Sequence, residues 1–223
     1  IGGGAGPSIG LDDTGRVVTM GMGDRVLYSA GEQLEELSGL MLRDHKSGPQ
    51  PRPVEGRVAQ REGAIEQQQT YEDGLSVSAT LRPVGDRIDV SVSASDTRPQ
   101  DRPLTLYFAL PVDATGWRWW DDVATARLIE GQTDYWHSTW SGQGARWSPY
   151  PFSCISGTDA ALSLSVPLSL PRVQRTVYDP RLKLYYIAYD FCLTPDAVKQ
   201  QQTARFEFSL FGGDPSWGLR DTV

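Results

Sequence analysis

The chain has 223 residues, with 28 acidic and 21 basic side chains and a formal net charge of −7. That balance, with arginines scattered and no basic cluster, argues against electrostatic attraction to nucleic acid or to an anionic membrane surface. Apolar residues make up 39% and charged residues 22% of the chain, no apolar run approaches the ~20 residues of a membrane-spanning helix, and a chain of this length buries roughly 70% of its unfolded surface without needing a disulfide or metal.

The opening "IGGGAGPSIG" has no initiator Met, no charged leader region and no apolar leader core. It reads as a cloning scar or trimmed end over 1–10, set apart from one β-sandwich domain over 11–223. Residues 31–44, "GEQLEELSGLMLRD", put Leu34, Leu37, Leu40 and Met41 at helical spacing, but Gly39 interrupts them, so a short helix and a β-meander both fit. Residues 47–56 are a Pro/Gly loop.

Period-two alternation then dominates. Leu75, Val77, Ala79 and Leu81 share one face, as do Ile88, Val90, Val92 and Ala94, and the connector with Pro83 and Gly85 makes the pair a hairpin. "LTLYFALPV" turns Leu104, Leu106, Phe108 and Leu110 inward. "ALSLSVPLSL" places Leu162, Leu164, Val166, Leu168 and Leu170 inward, with Pro167 pointing to an edge or a bulge. "LKLYYIAYDFCL" (182–193) is apolar or aromatic on both faces and reads as a central strand covered on both sides. "TPDAVKQQQT" offers one or two helical turns, with Thr194 as N-cap and Pro195 at N1. "RFEFSLF" turns Phe206, Phe208 and Leu210 inward. Strands of about ten residues span about 33 Å, well beyond the usual five or six residues. The fold class is therefore all-β: a large, mostly antiparallel sandwich with few short helices.

Three groups of residues carry possible chemistry. In "GWRWWDD", Trp117, Trp119 and Trp120 beside Asp121 and Asp122 form a candidate sugar platform, with ring faces for pyranose C–H groups and carboxylates for hydroxyls; the competing reading is rings that cap the core. In "WHSTWSGQGARWSPYPFSCIS", Trp136, Trp140, Trp147 and Tyr150 lie among small polar residues in an apparent long loop. His137 there has the chemistry of a general base, but no nucleophile pattern and no second His stand near it. Among the carboxylates Asp121, Asp122, Glu130, Asp134 and Asp190, the last lies inside an aromatic-rich strand, where a carboxylate calls for a partner such as an Arg from another strand. Glycoside hydrolysis needs two such carboxyls at set separation. Asp121, Asp190 and His137 are thus the weak catalytic candidates.

Cys154 and Cys192 allow one disulfide, or two buried free thiols, which is the preferred reading. His45 and His137 are far apart in sequence and no zinc spacing occurs. No metal is expected, and the lack of a phosphate-binding or dinucleotide motif leaves no cofactor implied.

The order of features has a counterpart. An alternating strand pair leads to "DRPLTLYFALPV", "GWRWWDD", "WSPYPFSCIS", "ALSLSVPLSLPRVQRTVYDPRLKLYYIAYDF" and "FSLFGGDPSWGLRD". Over residues 70–220 this resembles the galactose-mutarotase-like β-supersandwich modules that stand before the catalytic barrel in multidomain bacterial glycoside hydrolases and related uncharacterised proteins. The resemblance implies a concave face that handles sugars in relatives. Mutarotases of the superfamily use a His pair and a Glu base on that face; this sequence departs from them, with two widely spaced His and no match for Glu130 as the base. It further implies an oligo- or polysaccharide as partner, a secreted or periplasmic location, and a catalytic domain downstream of the ending "DPSWGLRDTV".

The leading expectation is a non-catalytic, carbohydrate-associated module that binds glycan weakly or supports a neighbouring glycoside hydrolase domain. The alternatives are an enzyme in its own right (mutarotase, lyase or hydrolase) and an assembly module whose aromatics form a protein interface.

Overall fold

The computed structural model describes residues 1–2, 5–31, 37–139, 148 and 150–222. In chain order the strands are β1 (Pro7–Leu11), β2 (Val17–Met22), β3 (Arg25–Ser29), β4 (Gly39–Asp44), β5 (Arg52–Pro53), β6 (Arg57–Arg61), β7 (Ala64–Thr70), β8 (Leu75–Val84) and β9 (Arg87–Asp96). There follow β10 (Arg102–Pro111), β11 (Arg118–Trp120), β12 (Ala126–Leu128), β13 (Tyr135–Ser138), β14 (Phe152–Ser156), β15 (Ala161–Ser165), β16 (Gln174–Asp179) and β17 (Leu184–Leu193). The helix α1 (Pro195–Lys199), β18 (Ala204–Gly213) and a 3-10 turn at Gly218–Thr222 complete the chain.

A six-stranded sheet, β13-β16-β17-β10-β4-β5, packs against a nine-stranded sheet, β12-β11-β14-β15-β18-β9-β8-β7-β6. The pairings within both are antiparallel. Alternation decides which side chains enter the space between them. Leu104, Leu106, Phe108 and Leu110 of β10 face Val90, Val92, Phe206, Phe208 and Leu210 across the core, where the Phe108 and Phe208 rings stand 5.3 Å apart. The expected β8–β9 hairpin is present, with Val84 opposite Arg87 and Gly85 at φ +62°, a backbone that a two-residue loop requires and glycine adopts freely.

Four local expectations change. Residues 7–11 are not outside the fold: they form β1 of a small sheet β1-β2-β3, and Ile9, Val17 and Met20 enter the main core. The 31–44 stretch yields strand rather than helix over Gly39–Asp44, because its Leu40 and Leu42 are taken up by pairing with β10; Leu34 lies outside the described residues. The "ALSLSVPLSL" pattern stops at Ser165, since Pro167 has no N–H for a ladder; Leu168 is 81% exposed, and β15 lies between β14 and β18 rather than at an edge. Both cysteines are free, but only Cys154 is buried, while Cys192 is exposed.

One expectation holds in part and one in detail. β17 sits centrally, between β16 and β10, but it is not covered on both sides throughout: Asp190 and Cys192 on its outer face are exposed. Thr194 caps α1, accepting a hydrogen bond from the Ala197 N–H at 3.3 Å.

Candidate functional site

The aromatic stretch "GWRWWDD" does not form a platform. Successive strand residues point to opposite faces, so Trp119 enters the core between the sheets while Trp120 lies on the other face of the nine-stranded sheet. Trp119 is fully buried, with the His137 ring 4.9 Å away and Tyr185 edge-on at 6.3 Å. Trp120 is covered by Leu219 of the 3-10 turn and donates its indole N–H to Ser156 Oγ at 2.9 Å. Trp117 lies half-buried on Gly157, where an added Cβ would come within 2.8 Å of its ring. Asp121 is paired with Arg127, Nη2 to Oδ1 at 2.8 Å, and Asp122 accepts from the Ala124 and Thr125 N–H groups to close a turn.

His137 is likewise interior. It pairs with Thr176 on the inner side of β13 and is 4% exposed. A ligand outside the sheet cannot reach its ring. Trp136, one residue earlier, takes the outer side and is half-buried. Tyr150 is half-buried against Phe152, ring centroids 5.4 Å apart. Trp140 and Trp147 lie outside the described residues.

The outer face of the six-stranded sheet is where polar chemistry collects. Register places Arg43 of β4 opposite Thr105 of β10, and Thr105 opposite Asp190 of β17. Arg175 of β16 reaches the same carboxylate from the next strand. The Arg partner that Asp190 called for is therefore present. His45 follows β4 and is held by its own N–H to the Pro103 carbonyl at 3.1 Å. Together these residues line an open depression of about 610 Å³ with Leu104 and Phe191.

The hydrogen bonds there run in one direction. Thr105 Oγ1 donates to Asp190 Oδ1 at 2.7 Å. A hydroxyl has one proton to give, so the His45 Nε2 contact to the same oxygen, 2.8 Å, has nitrogen as donor. Arg175 donates to both carboxylate oxygens, Nη2 to Oδ1 at 3.2 Å and Nη1 to Oδ2. Asp190 is thus committed inside the protein, and it is the single carboxylate lining this depression among the described residues.

Along the same face, Tyr107 and Tyr186 meet edge-on at 5.9 Å, over Met41, Ala109 and Leu184. Burial and the neighbouring Asp134 push the Tyr186 phenol up, which keeps it protonated as a donor. Burial and then the Asp179 charge raise the Asp134 carboxyl above its ordinary value, although Arg181 bridges Asp134 at 2.8 Å and Asp179 at 2.9 Å.

No protein-family model matches the chain, and no curated protein matches it in sequence. Solved structures do. A polysaccharide lyase is similar over 96% of this chain and 33% of its own, at 8% identity and a TM-score of 0.54. A GH36 α-galactosidase from Geobacillus stearothermophilus is similar over 95% of this chain and 40% of its own, at 11% identity and a TM-score of 0.54. A galactose mutarotase-like protein from Lactobacillus casei covers 94% of this chain and 98% of its own, at 7% identity and a TM-score of 0.49.

The chain shares its large antiparallel β-sandwich architecture with parts of the lyase and the galactosidase.

The chain spans about a third of the lyase and two fifths of the galactosidase. At these identities the likeness extends to architecture alone, so chemistry rests on the residues themselves. Arg43, His45, Thr105 and Arg175 did not stand out in the sequence. Their one local signal is polarity at outward positions of alternating strands, as in Arg43 and His45 flanking the inward Asp44. Their convergence depends on pairing β4, β10, β17 and β16, whose residues lie far apart along the chain.

Proposed function

We propose that this chain is a non-catalytic, carbohydrate-associated sandwich module that takes a glycan on the outer face of its six-stranded sheet. The observation that supports it is the bonded set His45, Thr105, Asp190 and Arg175, which with Arg43 lines an open depression on the same face as Tyr107 and Tyr186. Fixed donors for hydroxyl oxygens next to aromatic rings are what a sugar site needs. Trp136, half-buried on the same face, belongs to this surface; Trp119 and His137 lie in the interior behind it, and Trp120 lies on the far side of the nine-stranded sheet. The carbohydrate-acting neighbours in structure, a lyase and an α-galactosidase, agree with the reading.

A glycosidase needs two carboxyl groups about 5–9.5 Å apart. Among the described residues the depression has Asp190 as its one carboxylate, already neutralised by Arg175, which favours binding over hydrolysis. Affinity electrophoresis through gels containing plant and algal polysaccharides tests the proposal. Retardation by at least one polysaccharide, reduced in Asp190→Ala, is the expected result; free migration through every gel would reject it.

The His45–Thr105–Asp190 relay supports a second reading, an enzyme acting on carbohydrate through this domain. It expects faster exchange between glucose or galactose anomers by NMR, and a rate that His45→Ala abolishes.

A further inference from the structure

We propose that the glycan taken by this face is an acidic one, bound through a sugar carboxylate at Arg43. The inference rests on the carbohydrate reading above and adds the ligand's charge.

The argument is a balance of charge and of hydrogen-bonding capacity. Two guanidinium groups and one carboxylate line the depression. Arg175 and Asp190 cancel, being directly ion-paired. Arg43 is left as the surplus cation. Among the described residues it has no hydrogen-bonded or ion-paired partner; its Nε is closed to water and so to a ligand, which leaves the two Nη groups as the donors it can offer to the depression. A guanidinium with no acceptor of its own gains most from an anionic one. The remaining acceptors are mostly occupied: Asp190 accepts three hydrogen bonds from Thr105 and Arg175, and Thr105 Oγ1 accepts one from His45. The site is rich in donors and short of acceptors, so it calls for a ligand with the opposite bias.

A neutral sugar hydroxyl can accept one hydrogen bond from Arg43. A carboxylate can accept two in the planar fork that guanidinium presents and also neutralises its charge. One surplus positive charge matches the single negative charge of a uronate better than the double charge of a phosphate. The net charge of −7 opposes any anion at long range, but at physiological salt this repulsion is screened beyond about 8 Å. Contact at Arg43 therefore decides the outcome.

The test is titration of the whole chain by calorimetry or NMR with oligogalacturonate, the matching neutral galacto-oligosaccharide, glucose 6-phosphate and glucose. Oligogalacturonate is expected to bind about tenfold more tightly than the neutral oligosaccharide, to weaken as salt is raised, and to lose that preference in Arg43→Gln. Arg43→Lys keeps the charge without the fork and is expected to retain part of it; thermal melts of both variants report that they remain folded, and the salt dependence of the unaltered chain is read without any variant. Equal affinity for acidic and neutral oligosaccharides overturns the inference and leaves the glycan reading standing. Preference for glucose 6-phosphate over oligogalacturonate, or a preference that Arg43→Gln retains in full, overturns it also. Binding of no probe overturns both.

Discussion

Arg102 is 2% exposed, yet it is a full cation held by three carboxylates: Asp44 at 2.8 Å, Asp96 at 3.0 Å, and Asp73. It joins the start of β10 to the ends of β4 and β9 and to the β7–β8 turn, and so ties the two sheets together at one end. Removing one member of a buried ion cluster leaves the others uncompensated, at a cost of about 3–5 kcal/mol. Arg102→Met is therefore expected to lower stability by that amount in urea unfolding; a change under about 1 kcal/mol would show the cluster to be dispensable. Acid should act at the same place. The hydrogen bond from Arg102 holds the Asp73 carboxyl below its ordinary value of 3.8. A depressed folded value means that the stabilisation is complete at neutral pH and is lost as pH falls through the folded value. The melting temperature should thus drop below about pH 4, and drop less steeply in Arg102→Met. Nothing in the local sequence around Arg102 marks it, because its three partners come from separate turns and strands. Asp190 was the opposite case: its position inside an aromatic-rich strand announced a need for a cation, and Arg175 supplies it.

Strands β8 and β9 were legible because each carries a long apolar alternation that the burial in the structure follows, while in β10 the outward Thr105 and Ala109 are buried as well as the inward residues. β15 shows where alternation misleads. Its pattern continues past Pro167, but a ladder needs N–H groups, and the chain turns away to leave Leu168 in solvent. The 3-10 turn Gly218–Thr222 was not legible at all, although it seals a second apolar cluster of Trp120, Cys154, Ala161 and Leu219 on the outside of the nine-stranded sheet. That seal depends on Gly218. Its φ is +52°, and an added Cβ would lie 1.9 Å from Trp120 Cε2. Gly218→Ala is expected to destabilise by about 1–3 kcal/mol and to expose Cys154, whose thiol burial pushes up to about 12. Thiol labelling at neutral pH checks this: Cys192 should react in both proteins, and Cys154 measurably faster in the variant.

The sandwich is assembled from distant pieces. β10 is flanked by β4 and β17, and β18 closes between β15 and β9. Closing such long loops must precede the contacts that reward it, so folding is expected to be slow, in milliseconds or longer. Stopped-flow tryptophan fluorescence should show this as Trp119 becomes enclosed; complete refolding within about 100 µs would contradict it. The same non-locality divides what the chain alone determined from what the tertiary structure decided. Composition, charge and period-two alternation determined an all-β sandwich with long antiparallel strands, because alternation is a local consequence of side chains pointing to opposite faces. The order of the segments suggested a large sandwich of the kind found in carbohydrate-active proteins, and the architecture is shared with a polysaccharide lyase and an α-galactosidase. The location of the polar face was decided only in three dimensions. Which of the seven Trp are interior depends on which sheet face each strand presents, and Trp119 and His137 are enclosed because both sheets turn the same side inward. The convergence of Arg43, Thr105, Asp190 and Arg175 is a matter of strand register, set by pairing among residues that no local pattern connects.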